Sequence, residues 1–312
     1  MDRFEILRQP WIAPQIPEDI PHGDMPGDKV CIGEGHIAKA NVIFPQLCKL
    51  LAETIENQPA HRAVIAVCGG SGVGKSETAS LLGYYLNALG IGSYTMSGDN
   101  YPRRIPRDND AERLRIYRAG GLRGLVASGV HTKEIGETLR LLWEKDTDAD
   151  PAMAAEHPWL AVYQKAAARS LNAYLGTENE IDFDEVSSII ARFKQGAKSL
   201  HLKRMGRETT TLWYDEVDMT EVNVLIIEWT HGNSDYIEGV DIPILLNSTP
   251  AETLAHRRAR NRDGQTDSAF TTTVLALEQK KLENQAHKAK IIVAKSGELL
   301  TYGEYRRMMA EA

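Results

Sequence analysis

The chain has 312 residues, 42% of them hydrophobic and 25% charged, which is enough to bury a full core as one large domain with appendages or as two small ones. A formal net charge of −7 supplies no general electrostatic footprint for nucleic acid, and no uninterrupted apolar run reaches membrane-spanning length. Cys31, Cys48 and Cys68 have neither the number nor the spacing of a disulfide framework or a zinc site. The opening residues Met1 to Glu5 lack a basic n-region and an apolar h-region. The expectation is a cytoplasmic protein with neither nucleic acid nor membrane as partner, and self-association as a homodimer stays open.

In chain order, Pro10, Pro14, Pro17, Pro21 and Pro26 mark an extended arm, and Leu47, Leu50, Leu51 and Ile55 then predict a helix of about three turns. Residues 1–59 are thus expected to be an appendage before a nucleotide-binding domain over 60–312. Ala63 to Cys68 reads as a buried strand that breaks into Gly69-Gly70-Ser71-Gly72-Val73-Gly74-Lys75-Ser76, a Gly-x-x-x-x-Gly-Lys-Ser loop, and Glu77 to Leu89 as the helix that follows, closed by Gly90. Such a loop brings successive backbone N–H groups toward a polyphosphate at the positive end of a helix. Lys75 can reach the β- and γ-phosphates and Ser76 can hold Mg²⁺. The residues therefore predict binding of a nucleoside triphosphate.

Further apolar runs at 93–96, 222–227, 242–246 and 289–293 alternate with helical or loop segments, which predicts a parallel sheet covered on both faces. Between about 118 and 178 the strand signal fades, and Leu139, Leu142, Trp143, Trp159, Tyr163 and Ala166 to Ala168 read as an inserted helical subdomain.

Ligands gather at the carboxyl ends of parallel strands. After the second run, Asp99 in Ser97-Gly98-Asp99-Asn100-Tyr101 can accept the proton of an attacking hydroxyl or hold Mg²⁺ through water, with a helix cap or turn as the alternative. After the third, Glu228 is placed to hold Mg²⁺ or a substrate hydroxyl, with a solvent-facing strand end as the alternative; His231 lies close behind it. After the fourth come Arg257, Arg258, Arg260 and Arg262, which either close over the triphosphate or form a solvated basic face. Helical spacing pairs Arg258 with Arg262. Arg103, Arg104, Arg107, Arg113, Arg115 and Arg118 form a basic run after Asp99, suited to an anionic acceptor or to pairing with Asp108, Asp110 and Glu112.

These residues in this order resemble the phosphoribulokinase and uridine kinase group of P-loop kinases, over about 60–100 and 179–295. The resemblance implies a three-layer α/β P-loop kinase fold with an N-terminal arm and a helical insertion. It implies transfer of the γ-phosphoryl group of ATP, with Mg²⁺, to a hydroxyl of a small molecule. Asp99 is then the catalytic base, with Lys75, Glu228, Arg258 and Arg262 in the catalytic set. Gly69 to Ser76 with Arg257 and Arg258 hold the nucleotide, and Ser76, Asp99 and Glu228 are the metal candidates. Asp99, Tyr101, Arg103, Arg104, Arg207, Glu228 and His231 are the acceptor candidates.

The sequence departs from the uridine kinases at Leu200 to Gly206, where their Tyr-Asp…His pattern is absent, and at Trp229, where they usually have Gly. The departures argue against uridine as acceptor, and the arginine run after Asp99 is what points to an anionic sugar phosphate or sugar acid rather than a neutral nucleoside. Uridine kinase activity, adenylylsulfate kinase activity (from the local Gly98-Asp99-Asn100) and a nucleotide-dependent switch or chaperone are the alternatives. No Asn-Lys-x-Asp guanine motif is present, which favours ATP over GTP.

Overall fold

In the computed structural model of the chain, which describes residues 3–249, 251–255 and 268–311, the apolar runs become the strands of one sheet. Strand β1 (Ala63–Gly69) is buried along its whole length and lies between β5 (Val224–Glu228) and β6 (Ile242–Leu246), both equally buried. With β2 (Ser93–Ser97), β7 (Ile291–Val293) and β8 (Leu299–Leu300), the order is β2-β5-β1-β6-β7-β8. Only β8 runs antiparallel, against β7. Strands buried on both faces need no polar alternation, which is why they read as continuous apolar runs. The architecture is α/β with helices on a mainly parallel sheet.

The chain divides into two compact units: Met1–Tyr101, Asp182–His256 and Lys281–Ala312 form the first, and Pro102–Ile181 with Arg257–Lys280 form the second.

The first unit holds the sheet, and the N-terminal segment belongs to it. Helix α1 (Glu34–Glu56) is twice as long as its apolar spacing predicts. It buries Phe44, Leu47, Leu51 and Ile55 in the same core as α2 (Lys75–Ala88) and β1, and the 3-10 turn Arg3–Arg8 adds Phe4 and Leu7. Trp11, Phe44 and Tyr85 meet with ring centroids about 5 Å apart. The prolines keep residues 10–32 out of regular structure, yet Tyr84 donates to the Gln15 carbonyl and Ile20 is buried. The described part of this segment, 3–59, thus contributes to the core. The unit also contains a two-stranded antiparallel ribbon that the sequence reading lacks, β3 (Ser199–Met205) with β4 (Leu212–Asp218), preceded by α7 (Phe183–Lys194). Helix α9 (Tyr302–Glu311) closes the chain.

Arg62, buried at the start of β1, donates to the carbonyls of Phe193, Ala197 and Met219, so one guanidinium satisfies carbonyls at the end of α7, after it, and after β4.

The second unit is helical: α3 (Pro106–Ala127), α4 (Lys133–Glu144), the single turn α5 (Met153–Glu156), α6 (Leu160–Asn172) and the first part of α8 (Ala269–Gln285). It begins at Pro102 rather than near 118, because α3 carries its charge all round and lacks the apolar stripe that would announce a helix. What α3 offers α6 is a stripe of small residues. A Cβ at Gly120 would stand 2.2 Å from the Ser170 hydroxyl, one at Gly121 2.4 Å from the Tyr163 ring, and one at Gly124 2.2 Å from the Ala166 methyl. Tyr163 cannot swing aside, since its hydroxyl donates to Asp148 (2.7 Å) and accepts from the Trp143 indole (2.9 Å).

Gly121→Ala separates two opposed effects. In a helix interior Ala gains about 1 kcal/mol over Gly, but overpacking a fixed ring costs about 1–3 kcal/mol. The expected outcome is net destabilisation of up to about 2 kcal/mol, read as a lower urea midpoint at unchanged slope; a raised midpoint would contradict the α3–α6 packing.

Candidate active site

Strand register brings the sequence-predicted groups together at the carboxyl end of the sheet. Val67 of β1 and Ser97 of β2 both pair with Glu228 of β5, which places the end of β2 beside that acid and the loop after β1 close by. The loop Gly70 to Gly74 runs straight from β1 into α2, whose first residues are Lys75 and Ser76. Val73 is buried and anchors the loop in the core, while Gly70, Ser71, Gly72, Lys75 and Ser76 keep partial exposure. The Lys75 ammonium donates to the Gly70 carbonyl at 3.1 Å, folding back over its own loop.

Glu228 is 4% exposed. Its carboxylate is gripped from two sides: the Ser76 hydroxyl donates to Oε2 at 3.0 Å and the Ser97 hydroxyl to Oε1 at 2.6 Å. Burial pushes its pKa from the ordinary 4.5 up to about 7, and the Asp99 charge pushes the same way; Lys75 and the two serine hydroxyls pull against them. The solvent-facing alternative for Glu228 is thereby removed. A partly exposed serine hydroxyl beside a buried carboxylate is an all-oxygen donor set of the kind Mg²⁺ takes when phosphates and water complete its shell. No cluster of three or more His, Cys, Asp or Glu that could cage a metal exists among the described residues.

Asp99 differs from its neighbours. It is exposed, whereas Ser97, Gly98, Asn100 and Tyr101 are buried, so the segment is fixed in the protein and presents one carboxylate outward. Gly98 is the reason the turn can lie so low. The Trp229 side chain passes directly beneath it, and a Cβ at 98 would stand 2.0 Å from the indole. Trp229 is itself 1% exposed and packs on Phe183 and His231. The Trp that departs from the uridine kinase pattern is therefore the floor of the Asp99 turn, and His231 is edge-on to the Trp229 and Phe183 rings.

Tyr101 is buried, with its hydroxyl directed at the Met96 sulfur and its ring 6.0 Å from the Lys203 ammonium, so it supports the segment from inside. Arg207 is exposed in the loop between β3 and β4. Arg103 and Arg104 lie in the helical unit: the Arg103 guanidinium donates to the Glu178 carbonyl and that of Arg104 to the Tyr174 hydroxyl. The rest of the basic run is paired there too. Arg107 meets Asp108, Arg115 meets Glu112, Arg118 meets Asp146 and Asp148, and Arg113 meets Asp110, Glu180 and Glu278. Arg257, Arg258 and Arg262 lie outside the described residues, as does Arg260. Burial pushes the Cys48 and Cys68 thiols up to about 12, so both are neutral core groups.

One residue at this site is absent from the sequence reading. Asp24, from the proline-rich segment, lies at the end of β2. Its Oδ1 accepts from the Ser97 amide (2.7 Å) and the Asn100 side chain (3.1 Å), and its Oδ2 from the Tyr94 hydroxyl (3.0 Å) and Arg204 (2.8 Å). Burial pushes its carboxyl above the ordinary value, opposed by the Ser97 amide, the Arg204 charge and the Tyr94 hydroxyl. A carboxylate between two prolines carries no local signal of a partner so far along the chain.

No protein-family model matches the chain. Over 237 residues it is 38% identical to the bifunctional alpha-galactosidase/sucrose kinase AgaSK of Mediterraneibacter gnavus, an alignment covering 76% of this chain and 20% of that protein. The chain thus spans about a fifth of that relative's length. Similar solved structures include D-glycerate 3-kinase from Cryptococcus neoformans (10% identity, TM-score 0.46, 86% of this chain and 99% of that one). They also include a possible uridine kinase from Bacillus stearothermophilus (14% identity, TM-score 0.39, 79% and 98%).

The raised Glu228 carboxyl gives a pH test. A carboxyl with a higher pKa folded than unfolded binds its proton more tightly in the folded state, so it favours folding when protonated and loses that contribution as pH rises from about 4.5 to about 7. Urea midpoints measured with chelator and without nucleotide are expected to fall for the wild type relative to Glu228→Gln across that interval. The gap should be steady above it; parallel curves throughout would contradict the burial of an ionisable group here.

Proposed function

We propose that this chain is an ATP-dependent small-molecule kinase that transfers the γ-phosphoryl group to a hydroxyl of a sugar-class acceptor. The observation that carries the reading is the Ser76–Glu228–Ser97 grip at the end of β1, β5 and β2, with Asp99 exposed beside it. A loop of this sequence at the start of α2 offers backbone N–H groups and the Lys75 ammonium to a triphosphate. Ser76 and Glu228 would hold Mg²⁺, which supplies charge neutralisation on the phosphates when bound. Asp99 would accept the proton of the attacking hydroxyl, carried on a turn whose other residues Ser97, Gly98 and Asn100 are buried. The remaining catalysis is positioning and electrostatic stabilisation, in which Lys75 is the described cation and Arg258 and Arg262 are the expected further ones.

The acceptor class rests on two supports. The relative at 38% identity is named a bifunctional alpha-galactosidase/sucrose kinase. Second, the arginines that would have favoured an anionic acceptor are engaged within the helical unit, Arg103 with the Glu178 carbonyl and Arg104 with the Tyr174 hydroxyl and the Glu112 carboxylate, so the reading does not depend on an anionic group in the acceptor. Sugar acids and sugar phosphates remain as comparison acceptors.

The test is acceptor-dependent formation of ADP with Mg²⁺–ATP against neutral hexoses and disaccharides, sugar acids, sugar phosphates, uridine and adenylylsulfate. Turnover should be nearly silent until a sugar is added. Slow hydrolysis indifferent to every acceptor would instead favour a nucleotide-dependent switch. Lys75→Ala is expected to abolish turnover in a folded protein, since the phosphates lose their fixed counter-charge. Asp99→Asn should lower kcat by about 10²-fold or more with little change in ATP affinity. If Asp99→Asn retains full kcat while Glu228→Gln is inactive, the base is assigned to the wrong carboxylate.

A further inference from the structure

The buried polar network under the Asp99 turn begins in a part of the chain that no sequence motif connects with it. Among the described residues, four donors from elsewhere in the chain meet the two oxygens of Asp24, two of them within the turn itself: the Ser97 amide and the Asn100 side chain. The other two, Tyr94 and Arg204, tie it to β2 and to β3, and Arg204 also donates to the Tyr94 hydroxyl at 3.0 Å. Asn100 completes the circuit by accepting from the Met205 amide at 2.9 Å. Gly23, beside it, is buried at the site, where a Cβ would stand 3.7 Å from Oε1 of Glu228.

The geometry points to Asp24 as a positioning residue of the active site. It holds both ends of the Ser97–Asn100 turn, and so sets where the Asp99 carboxylate stands relative to Glu228. Four donors saturate its oxygens, which leaves it no lone pair aimed outward for proton transfer and makes its effect indirect. A chain of charge-assisted hydrogen bonds in a low-dielectric site is stiff, and removing its anion leaves the Arg204 guanidinium, 7% exposed, without its buried partner. The remaining Asp215 partner of Arg204 is half exposed and does not reach the turn. The N-terminal segment is on this account part of the active site as well as of the core.

The inference rests on the kinase reading for its kinetic arm, and amide hydrogen exchange supplies an arm that does not. Asp24→Asn keeps the shape and one acceptor oxygen but turns an amide toward Tyr94 and Arg204. The expected result is a kcat about tenfold or more lower with KM for ATP within about twofold, since small displacements of a reacting group cost this much. Exchange at the amides of 97–101 should rise by about tenfold. Tyr84→Phe, which frees the same N-terminal segment at Gln15 without touching the turn, should leave kcat and exchange at 97–101 unchanged. A role confined to stability would lower the melting temperature of both variants and leave kcat of the folded protein intact.

Should Asp24→Asn fail to fold, Tyr94→Phe removes one donor with no change of charge, and kcat about threefold lower with faster exchange at 97–101 is expected. Wild-type kcat and exchange in a folded Asp24→Asn, or in Tyr94→Phe if only that variant folds, overturn the inference. A wild type that transfers no phosphoryl group to any acceptor defeats the kinase reading, and exchange at 97–101 then still decides the role of Asp24.

Discussion

A buried carboxylate held by two serine hydroxyls sets the terms for the rest of the site. Ser76 opens α2 and Ser97 ends β2, so both meet Glu228 only because β1, β5 and β2 are paired in one register. Side chains alternate along a strand, and a slip of one residue would turn Glu228 to the opposite face of the sheet. The continuous burial of β1 and β5 makes such a slip costly in apolar area and polar desolvation alike. The chemistry is in this sense a by-product of core packing: the apolar strands fix the register, and the register brings the oxygens together.

The charged side chains follow a complementary rule. Among the described residues, arginines near the core are held by several acceptors at once, Arg62 by three carbonyls and Arg113 by three carboxylates. The planar fork of guanidinium suits this use. It also explains why a run rich in arginine need not face a ligand. Glu180 illustrates the other half of the pattern, accepting from Arg113, Asn109 and the Gly176 amide in the helical unit.

The sequence was most informative where one physical requirement dominates over a short span. The P-loop glycines with Lys75 and Ser76, the four further parallel strands and the acids at their ends follow from local pattern, because burial on both faces writes itself as an apolar run. Three features escaped for identifiable reasons. Ribbon β3–β4 buries Lys203 and Arg204, whose charges read as solvent-facing until Glu185 and Asp24 are seen beside them. Helix α3 packs through glycines, which are helix-poor by propensity and silent to any hydrophobic count. Asp24 sits in a proline-spaced stretch whose contacts are all long-range. In each case the deciding partner is distant in sequence, so no window along the chain contains it.

The placement of β1 has a kinetic side. It forms early in the chain, yet it lies between β5 and β6, and the register Ala63 with Val224 and Ile65 with Ile242 closes only after the helical unit's main stretch and the β3–β4 ribbon have been made. Contacts of such sequence separation bear a large loop-closure entropy before they return any stabilisation, and proteins that rely on them fold slowly. Through that interval the strand that ends in the P-loop is an unpaired apolar edge. The feature that makes the finished site rigid therefore exposes the growing chain to self-association until residues beyond Leu246 have emerged.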